Sequence, residues 1–364
     1  MASTSEQPTA YDYVIVGAGS AGCVLADRLS RDRDVSVLVL EYGGNAPWWD
    51  WRIHMPAGLS EPMNGRRYNW DYGTEPEPKL NNRRIHQPRG KVLGGSSAIN
   101  GMAYVRGHAR DYDRWARDPE LAHWSYAHCL PYFRRAECHD RGADMYHGGD
   151  GPLYTETGRG WSPLYAAWNA AGRQAGYGYT ADMNGERQEG VGPMQMTVHD
   201  GVRWSAHLAY LKPAMARPNV TVVTAALTTK LRIENRRAVG VQYQRGGETH
   251  EVRAERRVIL AGGAINSPQL LKLSGIGPAA ELRRHDIPVV QDLPGVGQNL
   301  QDHLELYIQH ACTQPVSLYK AMNPLAKVKI GLAWYLFGTG LGATNHFEAG
   351  GFIRSRAGVE HPDL

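Results

Sequence analysis

One glycine turn limits what this chain can fold into. Residues 11–44 read YDYVIVGAGSAGCVLADRLSRDRDVSVLVLEYGG. Tyr13–Val16 is a short run rich in β-branched residues and predicts a buried strand. The turn Gly17-Ala18-Gly19-Ser20-Ala21-Gly22 follows. From Ser20 to Ser30 apolar residues recur at helical spacing through Ala21, Val24, Leu25 and Leu29. Val35–Leu40 is a second apolar run, closed by Glu41. Strand, turn, helix and strand make a βαβ unit. In such a turn Gly17 permits the bend, Gly19 lets the backbone approach a pyrophosphate, and Gly22 lets the helix close on the strand. The free N–H groups at the helix start, beside Ala18 and Ser20, favour phosphate. Glu41 lies about twenty residues beyond the glycines, where a carboxylate accepts hydrogen bonds from ribose hydroxyls. A dinucleotide with an unphosphorylated ribose is predicted, and NAD and FAD both satisfy that.

A second side-chain-poor run, GKVLGGSSAINGMAYVRG at residues 90–107, separates the two. A nicotinamide enzyme needs little more than the first turn. A flavin enzyme must also seat a large, rigid, planar ring. Small residues let backbone lie flush against such a ring, and backbone N–H groups can meet the negative charge that gathers at its N1 and C2=O edge on reduction. Gly94, Gly95, Ser96 and Ser97 supply the close approach, and Asn100, Gly101 and Ala103 are placed to meet the ring. Taken alone, the run also reads as a glycine-rich surface loop.

Farther along, residues 45–89 form a loop-rich excursion rich in Pro, Asn, Trp and Arg. The segments TVVT, KLRIE, AVGVQYQ and THEVRA after Val220 predict a small meander of strands. Val258–Leu260, a glycine turn and a helix near Ser267–Leu273 then repeat the opening pattern. Net charge is +4 and basic residues fall in scattered pairs, which argues against nucleic-acid binding. Cys23, Cys129, Cys138 and Cys312 form no CxxC and no zinc-spaced cluster, so reduced thiols and no metal are expected. The polar start MASTSEQPTA is no secretory signal, and no apolar run reaches the roughly 18–20 residues a membrane span needs. A cytoplasmic protein is expected, with peripheral contact at the inner membrane left open.

These motifs together resemble the glucose–methanol–choline (GMC) oxidoreductases, FAD-dependent alcohol-oxidising enzymes. GKVLGGSSAINGMAYVRGHARDYD (Gly90–Asp113) is similar to the family's first signature and GAINSPQLLKLSGIG (Gly263–Gly277) to its second. With the opening turn and LPGVGQNLQDH, the resemblance covers nearly the whole chain. YNWDYGTEPEPKLNNR, YHGGDGPL, LQDHLELYIQH and NHFEAGGFIRS are most similar to the choline-oxidising members.

The resemblance implies an α/β fold, α+β overall, with a Rossmann-like FAD-binding domain and a second, sheet-containing substrate domain. Its implied boundaries are a disordered tail at 1–10, the FAD-binding domain at 11–310, and the truncated start of the substrate domain at 311–364. The ADP part of FAD would lie on Gly17, Ala18, Gly19, Ser20, Gly22 and Glu41, with Thr228 near the adenine. The flavin would lie on Val92, Gly94, Gly95, Ser96, Asn100, Gly101, Met102 and Ala103. Some relatives attach FAD through a histidine at a position that here is Ile99, so noncovalent FAD is implied. Glu305 falls where choline-oxidising relatives place an acid near the substrate cation; by itself it reads as a surface glutamate. Pro324 and Leu325 stand where some relatives carry a tryptophan pair. The family's catalytic histidine would lie beyond Leu364, and neither His303 nor His346 fits its motif, so a fragment without its base is expected. The implied partners are an alcohol, choline first, and an electron acceptor: a quinone or respiratory chain, or oxygen. Another GMC alcohol dehydrogenase or oxidase, a noncatalytic flavin-binding protein and a nicotinamide dehydrogenase are the alternatives.

Overall fold

The structure, a computed structural model, describes residues 9–364; of the expected tail at 1–10, residues 1–8 lie outside the described residues. The chain divides into two compact units, each assembled from three separate stretches. The first holds Met1–Pro47, Pro62–Ile99 and Ser205–Tyr307; the second holds Trp48–Glu61, Asn100–Trp204 and Ile308–Leu364.

The first unit is built on the predicted βαβ start. Strand β1 (Ala10–Val16) leads through the glycine turn into helix α1 (Ser20–Leu29) and back to strand β2 (Val37–Leu40). Much later the chain returns as β3 (Val220–Val223), β4 (Leu227–Glu234), β5 (Arg237–Arg245), β6 (Glu248–Leu260) and helix α2 (Gly263–Leu273). They form a six-stranded sheet in the order β3-β2-β1-β6-β5-β4. The centre is parallel: Val14 of β1 pairs with Leu38 of β2 on one side and Val258 of β6 on the other. All four residues of β2 are buried, as an apolar strand covered on both faces requires. Val14, Leu38, Leu40, Val223, Val241 and Leu270 share one core cluster, and burying each such side chain contributes about 1.5–3 kcal/mol.

Two strand expectations need correction. TVVT does not join the meander; it pairs in parallel with β2 at the opposite edge of the sheet. THEVRA and Val258–Leu260 are not separate elements but one strand of 13 residues. Its first half runs antiparallel to β5 and its second half parallel to β1, the change falling at Arg253, which pairs with both Gly240 and Ala10. The strand runs on through the change of partner, with a register shift against β1 between Tyr11 and Tyr13.

The second unit contains a four-stranded sheet made from residues 103–104, 195–196, 153–157 and 137–139 in that order. A separate antiparallel pair joins Gly190–Pro193 to Ala349–Phe352. Its helices include Tyr126–Ala136, Pro163–Gln174 and Pro324–Phe337. Among the described residues no helix is long and apolar enough to cross a membrane.

Candidate cofactor-binding site

A cavity of about 1000 Å³ opens in the first unit at the carboxyl ends of its parallel strands. That is at the top of the roughly 300–1,000 Å³ range of ligand pockets, and it sits where open α/β sheets bind ligands. Gly17, Gly19, Ser20, Glu41, Gly95, Ser96 and Thr228 line it, so seven of the sequence-selected residues meet around one space.

The glycine turn is close-packed. A Cβ on Gly22 would lie 2.0 Å from the carbonyl oxygen of Gly17, so any side chain there would force α1 off the turn. Helix α1, whose N-cap position is Gly19, has no side-chain cap and no acid in its first turn. Helix α2, whose N-cap position is Gly262, likewise has neither, and Gly262–Ser267 line the same cavity. Two helix starts with free N–H groups thus face one space, an arrangement that favours anions.

The second glycine run docks on the first. Gly94 N–H donates to the Ala18 carbonyl at 2.8 Å. Gly95 has φ +53°, and a Cβ there would lie 2.6 Å from the Gly19 Cα. Backbone therefore meets backbone with no side chain between. Val92 is buried behind this junction. Glu41 ties it together: its carboxylate accepts from Ala18 N–H at 2.8 Å and from Gly43 N–H at 2.7 Å. Burial pushes the Glu41 carboxyl up, and the bonds from Gly43 and Ala18 pull it back part of the way. The acid read as a ribose partner is thus also the brace of the turn, with a second lone pair on each oxygen left for a hydroxyl.

Asn100, Gly101, Met102 and Ala103 belong to the second unit. There the carbonyls of Asn100, Gly101 and Met102 accept in turn from Arg203 Nη1 at 2.6 Å, Asn345 Nδ2 at 2.8 Å and Thr197 N–H at 2.9 Å. Ile99 is buried in the first unit. Glu305 is exposed and in no helix or strand, and it does not line the cavity.

Two groups of cavity residues escaped the sequence reading. Tyr42, Trp70 and Tyr72 form an aromatic row, with ring centroids 4.9 Å and 5.8 Å apart. Tyr72 donates its hydroxyl to Asn266 Oδ1 at 2.6 Å, joining the row to α2. Arg89 adds a cation to the lining. Trp70 and Tyr72 lie inside the stretch 45–89 read as a loop, and Tyr42 just before it; the spacing Tyr68, Trp70, Tyr72 was the available signal.

A Rossmann-type sheet, two uncapped helix starts and a carboxylate at the end of the second strand define a dinucleotide-binding α/β protein. The chain belongs to the GMC oxidoreductases: the family described as GMC oxidoreductase matches residues 11–305. It is 55% identical over 359 residues to the mitochondrial choline dehydrogenase of Mus musculus, covering 97% of this chain and 60% of that one. It is also 55% identical over 353 residues to the oxygen-dependent choline dehydrogenase of Brucella anthropi, covering 97% of this chain and 64% of that protein. The chain thus spans less than two thirds of the length of these relatives. Among solved structures, an Aspergillus oryzae formate oxidase is similar with TM-score 0.85 and 28% identity over 95% of this chain and 62% of that one. Pyridoxine 4-oxidase from Mesorbium loti is similar with TM-score 0.75 and 36% identity over 78% of this chain and 55% of that one.

The cofactor that goes with this family is FAD, and the cavity fits it. The two helix starts suit a pyrophosphate, and the joined glycine runs leave space for a flat ligand. Thr228 Oγ1 is buried and has no hydrogen-bond partner among the described residues. An orphaned hydroxyl on a cavity wall is costly unless a ligand satisfies it.

Proposed function

We propose that this chain binds FAD noncovalently and belongs to an enzyme that oxidises choline to betaine aldehyde. The observation that supports this most strongly is the junction of the two glycine runs on one cavity, with Gly94 N–H bonded to the Ala18 carbonyl at 2.8 Å. A nicotinamide enzyme has no need of that second layer. Gly17, Ala18, Gly19, Ser20 and Gly22 hold the phosphates, Glu41 the ribose, and Thr228 the adenine end. Val92, Gly94, Gly95, Ser96, Asn100, Gly101, Met102 and Ala103 serve the ring. FAD, when bound, supplies a hydride acceptor for the alcohol carbon.

The chain's own residues set the rest. The glycine junction and Glu41 orient the cofactor, and the aromatic row Tyr42–Trp70–Tyr72 shields the cavity wall from water. Glu305 is proposed as the carboxylate for a quaternary ammonium, which has no hydrogen to donate and must be recognised by charge and aromatic faces. The 55% identity to two choline dehydrogenases supports this substrate. A quinone or respiratory chain is the proposed electron acceptor, with the protein cytoplasmic or peripheral to the inner membrane.

The test uses the protein that contains this chain. Choline, benzyl alcohol and hexanol are compared as reductants of the bound flavin, and oxygen uptake is compared with quinone reduction. Choline should give the highest kcat/KM, and a preference for benzyl alcohol or hexanol would move the reading to another alcohol. Acid precipitation should release free flavin, because Ile99 offers no nitrogen for attachment; a yellow pellet would contradict that.

A further inference from the structure

The helix Pro324–Phe337 of the second unit carries two apolar stripes, and only one of them is packed. Ala326, Ile330, Ala333 and Trp334 recur at helical spacing and are buried or half-buried. Trp334 donates Nε1–H to the Gly201 carbonyl at 2.7 Å. A Cβ on Gly342 would lie 2.8 Å from Trp334 Cβ and 3.4 Å from Ile330 Cγ2, so this stripe is closely covered. The other stripe, Leu325, Val328, Leu332, Tyr335 and Leu336, is exposed along its whole length, Leu325 to 75%. Trp48 of the same unit, itself 75% exposed, stacks on Tyr335 with ring centroids 6.3 Å apart. A single exposed apolar residue is ordinary, whereas a continuous stripe with an aromatic border marks a binding surface.

The charges around the stripe point to its occupant. From Ser317 to Gly338 the chain carries Lys320, Lys327 and Lys329, all exposed, and no acid. The cores of protein interfaces are depleted in lysine. A lipid surface uses it: the stem covers apolar surface while the ammonium stays among the headgroups, and an anionic leaflet attracts each one. Trp and Tyr favour the same boundary, with the ring in the apolar layer and the N–H or O–H in the wet one. The helix has 14 residues. That is about 21 Å at 1.5 Å per residue, short of the roughly 30 Å of a hydrocarbon core, so it fits along an interface and not across one.

We propose that the exposed stripe of Pro324–Phe337, bordered by Trp48 and flanked by Lys327 and Lys329, seats the protein in the headgroup layer of an anionic membrane. This rests on the peripheral-membrane reading above and names its surface. Leu325, Val328, Leu332 and Leu336 enter the acyl boundary, and the lysines remain at the lipid phosphates.

The experiment takes the full protein that contains this chain in three forms: unaltered, K327Q/K329Q and L325E/L332E. Each is floated with vesicles of equimolar phosphatidylglycerol and phosphatidylcholine, and with vesicles of phosphatidylcholine alone. Thermal midpoint and choline oxidation with a soluble acceptor are measured beside them. The unaltered protein should float with the anionic vesicles and bind the neutral ones about tenfold more weakly. K327Q/K329Q should lose about fivefold per lysine on the anionic vesicles. L325E/L332E should lose about a hundredfold or more, since two apolar side chains no longer leave water. All three should share one thermal midpoint and one turnover, because the altered residues are exposed. Unchanged anionic binding by either variant overturns the proposal and leaves the peripheral reading to another surface. An unaltered protein that floats with neither vesicle overturns both, and its choline turnover still reads the substrate assignment separately. Failure of L325E/L332E to fold would mean that the stripe is covered within the protein, which also overturns the proposal. Self-association broken by L325E/L332E, without vesicle binding, assigns the stripe to a second copy and does the same.

Discussion

The two units solve opposite problems with the same backbone chemistry. In the first, the cavity wall is made by leaving side chains out: Gly17, Gly22 and Gly95 let peptide groups touch peptide groups, and free amides point at open space. In the second, a charged network fills the interior. Arg106 Nη2 donates to Glu137 Oε2 at 2.8 Å, and His147 Nδ1 reaches the same oxygen at 2.9 Å. His147 Nε2 reaches Asp182 Oδ2 at 2.7 Å, while Gln195 and Asn184 bond the other Asp182 oxygen. Both nitrogens of His147 face carboxylates, so both donate and the ring is an imidazolium. Burial opposes that charge, yet the bonds from Asp182 and Glu137 outweigh it and push His147 up to about 9. Two cations and two carboxylates then balance. Glu137, His139 and His147 also stand close enough to hold a metal ion, but His147 and Glu137 already spend their ligand atoms on this network. Empty space at a ligand site is bought with glycine, and buried polarity elsewhere is stabilised by pairing.

The contrast makes graded predictions. The largest effect belongs to the charged network. Glu137→Gln leaves Arg106 and His147 facing a neutral group and should cost about 3–5 kcal/mol, read by denaturant unfolding, with FAD affinity of the folded protein unchanged. A smaller loss would mean that the network is more hydrated than its burial indicates.

Gly95→Ala comes next. It places a Cβ 2.6 Å from the Gly19 Cα at φ +53° and should cost about 2–4 kcal/mol. Here FAD affinity should collapse together with stability. Wild-type affinity in this variant would break the link between the glycine junction and the cofactor.

A pH series should separate the two regions further. The His147 pKa is raised in the folded state, from an ordinary 6.5 to about 9. Its stabilisation is therefore fully present below pH 6.5 and is lost as pH rises toward about 9. His147→Gln should flatten that alkaline decline, and an unchanged slope would contradict the imidazolium. The smallest structural effect should come from Glu305→Gln. Glu305 is exposed, so the melting temperature should not move, whereas the KM for choline should rise about tenfold, one lost charge contact. Equal loss with choline and hexanol would remove Glu305 from cation recognition.

The sequence carries the first region far better than the second. The β1-turn-α1-β2 unit is local: an apolar run, three glycines and a helical stripe specify it within some thirty residues, and Glu41 follows at a fixed offset. The second glycine run is equally visible, because close backbone approach can be met only by small residues. Strand partners are another matter. TVVT carries the composition of a strand but nothing that names β2 as its neighbour. The change of partner along β6 altered its side-chain pattern enough to look like a break. The His147 network is invisible for the same reason. Arg106, Glu137, His147 and Asp182 lie on four separate segments, and only tertiary packing brings them together. Arg203 reads as one arginine among many until its burial is seen.

The central claim is that two separated glycine runs close on one another to seat a single FAD. Titrating the purified, folded 364-residue chain with FAD, followed by quenching of flavin fluorescence, tests it directly. Saturable binding of one FAD per chain, abolished by Gly95→Ala, is the predicted result. A folded chain that leaves flavin fluorescence unchanged at every FAD concentration would contradict it.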